Sequence, residues 1–597
     1  MKIADRVLKL RELMREKGID VYIVPSADFH QSEYVGEYFK CREWISGFTG
    51  SAGTVVVTHE MAGLWTDGRY FIQAAKQLEG TGIQLFKMGE PGVPSFIEFI
   101  VENIKKGQCV GFDGKVMSVS QVNDLKSKFQ EDIKINSDYD LIDMLWTDRP
   151  DMASSKAFVL DTKYCGEDIQ SKLSRIREAL EKENCDINII SSLDDIAWIF
   201  NLRGNDVKNN PVNLAYAIIT ADKAILYIDD RKLDNSVEEY LYENHVDVRE
   251  YLEIYEDAEL ISSSEVVMMD FNKTNFTIYN RIKDVVKIIN RPNPSNLMKA
   301  CKNEVELENL RKCHLRDGVA VTKFMHWLKN QVSQEKITEM SASEILEGFR
   351  KDQDLYIEPS FDTISAYGAN AAMMHYKATK DSDATLKPYG LLLVDSGGQY
   401  YDGTTDITRT FVLGECSYEI KKHFTLVLKG MIKLSKAKFL YGATGTNLDI
   451  LARQSLWEQG IDYKCGTGHG VGFLLNVHEG PQGIRFQYNS QRLEEGMNVT
   501  NEPGVYIEGS HGIRLENELI VQKDLKTEFG QFMKFETMTY VPLDLDGIIP
   551  ELLSEDEKEF LNNYHRMVRE KLSPYFDESE ICLLYTSDAA DDSLRVD

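Results

Sequence analysis

The feature that most constrains the fold of this chain is a diverged internal repeat in its first half. The segment RELMREKGIDVYIVPSAD (residues 11–28) reads as an amphipathic helix, a buried strand and a turn, and REALEKENCDINIISSLD (residues 177–194) repeats that order. Further on, WISGFTG (44–50) is echoed by WIFNLRG (198–204). Each echo is followed by two short β-rich runs, TVVVT and AGLWTDGRY in one copy, AYAIIT and KAILYIDDR in the other. The copies are offset by 166 residues at Arg11 and Arg177 and by 154 at Trp44 and Trp198, as insertions in surface loops would produce. Two copies at this spacing predict tandem α/β domains rather than a solenoid.

Breaks in the pattern set the expected boundaries. TDRPDMASS (147–155) and NRPNPSN (290–296) interrupt the periodic runs with Pro, Asn and small polar residues. They predict an N-terminal α/β domain over 1–150, a second, repeated one over 151–296, and a larger domain over 297–581. In that last region helices are expected at 304–330, 340–351, 417–438 and 447–459. LLLVDSGG, TTDITRTFV, MNVTNEPGVYI and IRLENELIV read as strands, making the domain α+β with antiparallel pairs. Residues 582–592, CLLYTSDAADD, break the preceding helical pattern and match the in-frame translation of a transposon-end sequencing adapter. Residues 582–597 are therefore expected to be an assembly artefact.

Charge and hydropathy exclude several classes. A net charge of -28 lacks the basic footprint that nucleic-acid binding requires. No apolar run reaches the roughly 18 residues that span a bilayer, and residues 1–20 lack the apolar core and cleavage site of a signal peptide. The nine cysteines form no CxxC pair and read as reduced thiols. A cytosolic protein acting on neither membrane nor nucleic acid is the expectation.

The candidate chemistry lies in the third domain. Asp395 ends an apolar run, where a lone carboxylate is costly to bury. Asp406 follows in a Thr-rich run, and Glu502 and Glu516 lie on strands separated by a glycine-containing turn, a spacing that suits adjacent antiparallel strands. Between the two acid pairs stands GTGHGVG, where glycines let the chain turn around His469. Taken singly, these acids read as caps or solvated strand faces, and Glu516 and Glu518 alternate as a solvated face would. Together, four carboxylates cannot share a dry pocket unless they are neutralised, and two divalent cations would do so. Oxygen-rich ligation with one imidazole favours Mn²⁺, with Co²⁺ or Zn²⁺ also able to bind. Such ions, roughly 3.5–4 Å apart, would share a bridging hydroxide and polarise a scissile carbonyl.

DSGGQYYDGTTDITRT, GTGHGVGFLLNVHEGP, TNEPGVY and GIRLEN, with WTDGRYFIQAAKQ and DDIAWIFNLRG upstream, resemble the motifs of the three-domain, cytosolic-type Xaa-Pro aminopeptidases (aminopeptidase P), of the pita-bread metallopeptidase superfamily. The resemblance runs from about residue 6 to about 577 and agrees in the spacing between motifs. It implies a pita-bread (creatinase/aminopeptidase-like) catalytic domain preceded by two creatinase-N-type domains. The implied function is hydrolysis of the N-terminal Xaa-Pro bond of peptides with proline second, by attack of a metal-bridging hydroxide, in a homodimer. In that pattern Asp395, Asp406, His469, Glu502 and Glu516 hold the metals, and Glu502 is also the general base. His375 contacts the scissile peptide, His478 steadies the carbonyl and its oxyanion, and Arg514 holds a carboxylate of the site. Two positions depart from the pattern: Cys465 stands where family members carry a third active-site histidine, and Asn501 where some carry Asp. A prolidase limited to Xaa-Pro dipeptides is the rival enzyme; the doubled N-terminal domain argues against it. Metal-free, creatinase-like hydrolysis is disfavoured by the intact ligand set, as is a non-catalytic peptide-binding protein on the same fold.

Overall fold

The computed structural model describes residues 1–129, 132–577 and 580 of the 597-residue chain, so the adapter-like tail at 582–597 lies outside the described residues. The chain forms two compact units. One comprises Met1–Leu160 and Glu167–Asn296, the other Asp161–Gly166 and the chain from Leu297 onward.

The first unit contains both copies of the repeat. Strands β1 (Val21–Pro25), β2 (Thr54–Thr58), β3 (Ala62–Thr66), β4 (Gln84–Lys87), β5 (Cys109–Gly111) and β6 (Lys134–Asn136) form a sheet in the order β4-β3-β2-β1-β5-β6. Strands β7 (Ile187–Ile190), β8 (Ala215–Thr220), β9 (Ala224–Ile228), β10 (Asp247–Arg249), β11 (Val266–Met269) and β12 (Lys287–Asn290) form a second, in the order β10-β9-β8-β7-β11-β12. Both sheets have an antiparallel meander at the centre and parallel strands at either edge.

The repeat extends to individual hydrogen bonds. Helix α1 (Ile3–Lys17) stops at Gly18 with φ +66, and after α2 (Ile169–Lys182) the equivalent residue Asn184 takes φ +54. Gly and Asn are the residues that tolerate this left-handed cap. Arg11 Nε donates to Thr58 O at 2.8 Å, and Arg177 Nε donates to Thr220 O at 2.9 Å. Asp20 exchanges backbone and carboxylate bonds with Cys109, and Asp186 does the same with Val266. Where the copies meet, His30 is buried, with Nδ1 2.8 Å from Ser191 O and Nε2 2.7 Å from the Tyr251 hydroxyl.

In the second unit α3 (Glu304–Gln331) begins at a capping box in which Asn303 accepts from Glu306 N–H and Glu306 reaches back to Asn303 N–H. Asn309 Nδ2 on the same helix donates to Lys163 O and Tyr164 O, which fastens the short segment Asp161–Gly166 to this unit. Strands β13 (Ile364–Tyr367), β14 (Leu391–Ser396) and β15 (Ile407–Val412) pair antiparallel, with Asp395 opposite Ile364 on one side and Thr408 on the other. Helices α4 (Tyr418–Ser435) and α5 (Gly445–Trp457) follow. The chain then forms β16 (Gly468–Gly470), β17 (Glu479–Ile484), β18 (Asn498–Asn501), β19 (Gly504–Ile507), β20 (His511–Arg514), β21 (Asn517–Thr527) and β22 (Gly530–Thr537). Val505, Ile513 and Leu515 share a core cluster with Phe424 and Val427 of α4. Because side chains alternate along a strand, that burial turns Arg514 and Glu516 to the opposite face.

Candidate metal centre

Glu502 and Glu516 sit at a break in one long antiparallel ladder. Asn501 pairs with Asn517 on one side of the break and Gly504 with Arg514 on the other, which leaves the two glutamates opposite each other. The expectation that each lies on a regular strand is thus corrected: both fall between strands. Pro503 has no N–H to give the ladder, and the glutamates' own N–H groups go elsewhere, Glu502 to Thr467 O at 2.8 Å and Glu516 to Thr408 O at 3.1 Å. The break bends both carboxylates toward β15 and β16.

There they meet the other predicted ligands. His469 Nε2 is 3.4 Å from Asp406 Oδ2 and 3.6 Å from Glu502 Oε1. Ligand atoms of Asp406, His469 and Glu516 lie within 4.8 Å of one another, a spacing that one ion can span. His469 Nδ1 faces Gly470 O at 2.8 Å, so the tautomer that donates there directs the free lone pair of Nε2 into the cluster. The glycines around His469 have a different role from the tight turn expected of them: neither Gly468 nor Gly470 has positive φ. A Cβ on Gly468 would lie 1.9 Å from Thr500 O, and one on Gly470 2.3 Å from Glu479 O. They are needed because two backbones approach closely.

Asp395 lies beside this group. Its Oδ2 accepts from Arg514 NH2, while Oδ1 is buried with no hydrogen-bond partner. Arg514 also donates from NH1 to the Tyr506 hydroxyl at 2.7 Å and from Nε to Thr408 Oγ1 at 3.1 Å. Thr408 Oγ1 in turn donates to Glu516 Oε2 at 2.8 Å.

His375 follows the short helix Gly368–Ala372. Leu393, two residues before Asp395 and on its face of β14, packs with Ala371 and Tyr376. Tyr376 is anchored by its hydroxyl, which donates to the buried Glu339 at 2.8 Å. A Cβ on Gly512 would lie 1.8 Å from Ala371 O, so this segment is pressed against β20. The His478 ring lies edge-on to that of His469, centroids 4.3 Å apart. The next residue, Glu479, is buried and clamped by Lys299 and Lys302.

Electrostatics report an unbalanced cluster. Burial raises Asp406, Glu502 and Glu516 above the usual carboxylate range; Asp395 adds to the rise at Asp406, and the neighbouring carboxylates add to it at Glu502 and Glu516. Burial would lower His469, but Asp406 and Glu502 override it and bring the imidazole to about 10. Four carboxylates with an orphaned Asp395 oxygen fit the chemistry of two divalent ions, which would cancel the repulsion and give Oδ1 a partner.

Several features escaped the sequence. Glu518 is fully buried rather than solvated, its Oε1 accepting from Asp406 N–H at 2.7 Å and its Oε2 from Asn498 Nδ2 at 2.5 Å. The only local sign was a second acid in the apolar run NELIV. His314 of α3 and Thr408 carried no sign at all. Asn501 turns away from the site, donating to Met431 O and Ser435 Oγ of α4. The Cys465 thiol is pushed up to about 12 by burial and by Glu502.

Fold and site together define a metallopeptidase of family M24. Residues 308–523 match the metallopeptidase family M24 model and 531–585 the C-terminal region of that peptidase. Residues 6–145 and 148–306 match models of the creatinase/prolidase N-terminal domain. The chain is 43% identical to a probable Xaa-Pro aminopeptidase P of Pyricularia oryzae, over 98% of each chain. It is 42% identical to one from Pyrenophora teres f. teres, over 97% of this chain and 91% of that one. A crystal structure of X-prolyl aminopeptidase from Caenorhabditis elegans, described as a cytosolic enzyme with a di-nuclear active site, superposes with a TM-score of 0.94 at 33% identity, covering 98% of this chain and 99% of that one. The chain belongs to the Xaa-Pro aminopeptidase P family.

Proposed function

We propose that this protein removes the N-terminal residue from peptides whose second residue is proline, using two divalent ions held by Asp395, Asp406, His469, Glu502 and Glu516. The observation that carries this reading is the convergence of Asp406, His469 and Glu516 within one ion's reach, in a chain related along nearly its whole length to Xaa-Pro aminopeptidases. Mn²⁺ suits the oxygen-rich donor set best, with Co²⁺ and Zn²⁺ as alternatives. When bound, the ions supply Lewis acidity toward the scissile carbonyl and acidify the attacking water.

The protein's own groups do the rest. Glu502, partly exposed and 3.4 Å from Thr500 Oγ1, takes the proton of the attacking water and passes it to the departing proline nitrogen. That nitrogen would otherwise have to leave as an amide anion, a very poor leaving group, so the bond breaks only when a proton is delivered. His478 donates to the carbonyl oxygen as it gains charge, and His375 holds the scissile peptide. Arg514 fixes Asp395 and, through Thr408, Glu516. No helix among the described residues is long and apolar enough to cross a membrane. With the C. elegans neighbour described as cytosolic, that supports a cytosolic site of action, and a homodimer follows the family resemblance.

The test is metal reconstitution of the purified protein followed by hydrolysis of Xaa-Pro peptides of two to nine residues. Release of the first residue from a tripeptide or longer with Mn²⁺ supports the reading. Activity on dipeptides alone would make it a prolidase, and Asp406→Ala with unchanged activity would remove catalysis from this site.

A further inference from the structure

A buried pair behind the metal centre, Glu518 and His314, is used by none of the steps above. Glu518 lies on β21, opposite Thr500 of β18, and is fully buried. Its Oε1 accepts the backbone N–H of Asp406, and its Oε2 accepts from Asn498. Asp406 is the residue just before β15, where no β-ladder bond holds its N–H. The Glu518 carboxylate therefore supplies the bond that fixes this peptide plane. A hydrogen bond to a carboxylate is roughly twice as strong as one between neutral groups.

A fifth buried carboxylate beside four others needs a counter-charge. His314, 3% exposed on α3, is placed to provide it: Nε2 lies 3.3 Å from Glu518 Oε1, within ion-pair distance though without hydrogen-bond geometry. Although burial would lower the imidazole's pKa, Glu518 raises it. On the same helix Asp317 is held by Arg350, whose Nε and NH2 lie 2.7 and 3.1 Å from its two oxygens, and by the Tyr400 hydroxyl at 2.9 Å. Asp317 is thus satisfied by its own partners, and the His314 ring nitrogen faces Glu518.

We propose that Glu518, paired with His314, is a positioning residue that holds the Asp406 main chain so that its carboxylate meets His469 and Glu516 in metal-binding geometry. The proposal rests on the metal centre described above. Residues that orient metal ligands from behind typically change metal affinity or activity roughly 10–100-fold when altered. Glu518→Gln keeps an oxygen for the Asp406 N–H and loses the charge; Glu518→Ala loses both; His314→Phe removes the counter-charge and keeps the ring volume.

The experiment titrates Mn²⁺ into the metal-free full-length protein by calorimetry, with bound metal counted by elemental analysis and circular dichroism confirming the fold. Kinetics on one Xaa-Pro tripeptide follow at saturating Mn²⁺. Wild type is expected to bind two ions. Glu518→Ala should weaken Mn²⁺ binding at least tenfold with its spectrum unchanged and lower kcat more than it changes KM, and Glu518→Gln should recover most of the loss. His314→Phe should fall between them. Native-like Mn²⁺ affinity in a folded Glu518→Ala, or in His314→Phe should the alanine variant fail to fold, would overturn the proposal. Failure of the wild type itself to bind divalent ions would instead refute the metal centre.

Discussion

Lowering the pH should destabilise this protein through His30, and the size of the effect follows from its surroundings. Nδ1 faces a carbonyl and so carries the proton, while Nε2 accepts from the Tyr251 hydroxyl, so the neutral ring is satisfied at both nitrogens. Burial pushes its pKa from 6.5 to about 4; Lys232 acts in the same direction, and Asp28, the Ser191 carbonyl and Asp206 oppose it. The folded-state value is depressed, so the stabilisation is complete above about 6.5 and is lost as pH falls toward 4, because the unfolded chain takes up a proton that the folded one refuses. Between pH 7.5 and 5 this single site should cost about 2 kcal/mol. In His30→Asn, which retains a donor toward Ser191 O and does not titrate, that component disappears. At pH 7.5 the variant is less stable because Tyr251 loses its acceptor, at a cost of about 1–3 kcal/mol, but its stability should fall less steeply, so the two proteins converge toward pH 5. Urea unfolding of both proteins at pH 7.5 and 5.0 gives the double difference, in which all other titrations cancel. A double difference near zero would refute the reasoning, since His30 would then titrate alike in the folded and unfolded chains.

Three further outcomes are expected. Mn²⁺ at 100 times its Kd should stabilise the folded protein by about 3 kcal/mol per site, read as a concentration-dependent rise in Tm, and Asp406→Ala should abolish most of the rise. Arg514→Lys keeps the charge but cannot reach Asp395, Tyr506 and Thr408 together, so kcat should drop roughly 10–100-fold with the fold intact; kinetics within twofold of wild type would argue that the fork is dispensable. Gly512→Ala would force a Cβ against Ala371 O and shift the segment before His375, so kcat/KM should fall at least tenfold while bound metal stays at the wild-type level. Unchanged kinetics there would place His375 outside the substrate's reach.

Much of this molecule was legible because the signals were local. The helix spans expected at 304–330 and 340–351 correspond to Glu304–Gln331 and Glu339–Lys351, since amphipathic periodicity and capping residues are written within a few positions of each other. The repeat was visible at residue resolution: Arg11 and Arg177, and Asp20 and Asp186, make paired hydrogen bonds, and Gly18 and Asn184 take the same left-handed conformation after their helices. Glu518 was misread for the opposite reason. Alternating acids on a strand look solvated unless the layer above them is known, and here that layer includes His314 of α3, 204 positions earlier in the chain.

The sequence by itself determined the tandem α/β architecture and, through the order and spacing of Asp395, Asp406, His469, Glu502 and Glu516, a candidate metal set. These depend on patterns that survive in one dimension. Only the tertiary structure decided that Glu502 and Glu516 face each other across a broken ladder and that Arg514 grips Asp395 and reaches Glu516 through Thr408. It alone showed that Gly468 and Gly470 are required by backbone approach and that Asn501 points into α4. Each of these depends on burial and on partners distant along the chain, and burial sets both the cost of a charge and the strength of the bond that relieves it.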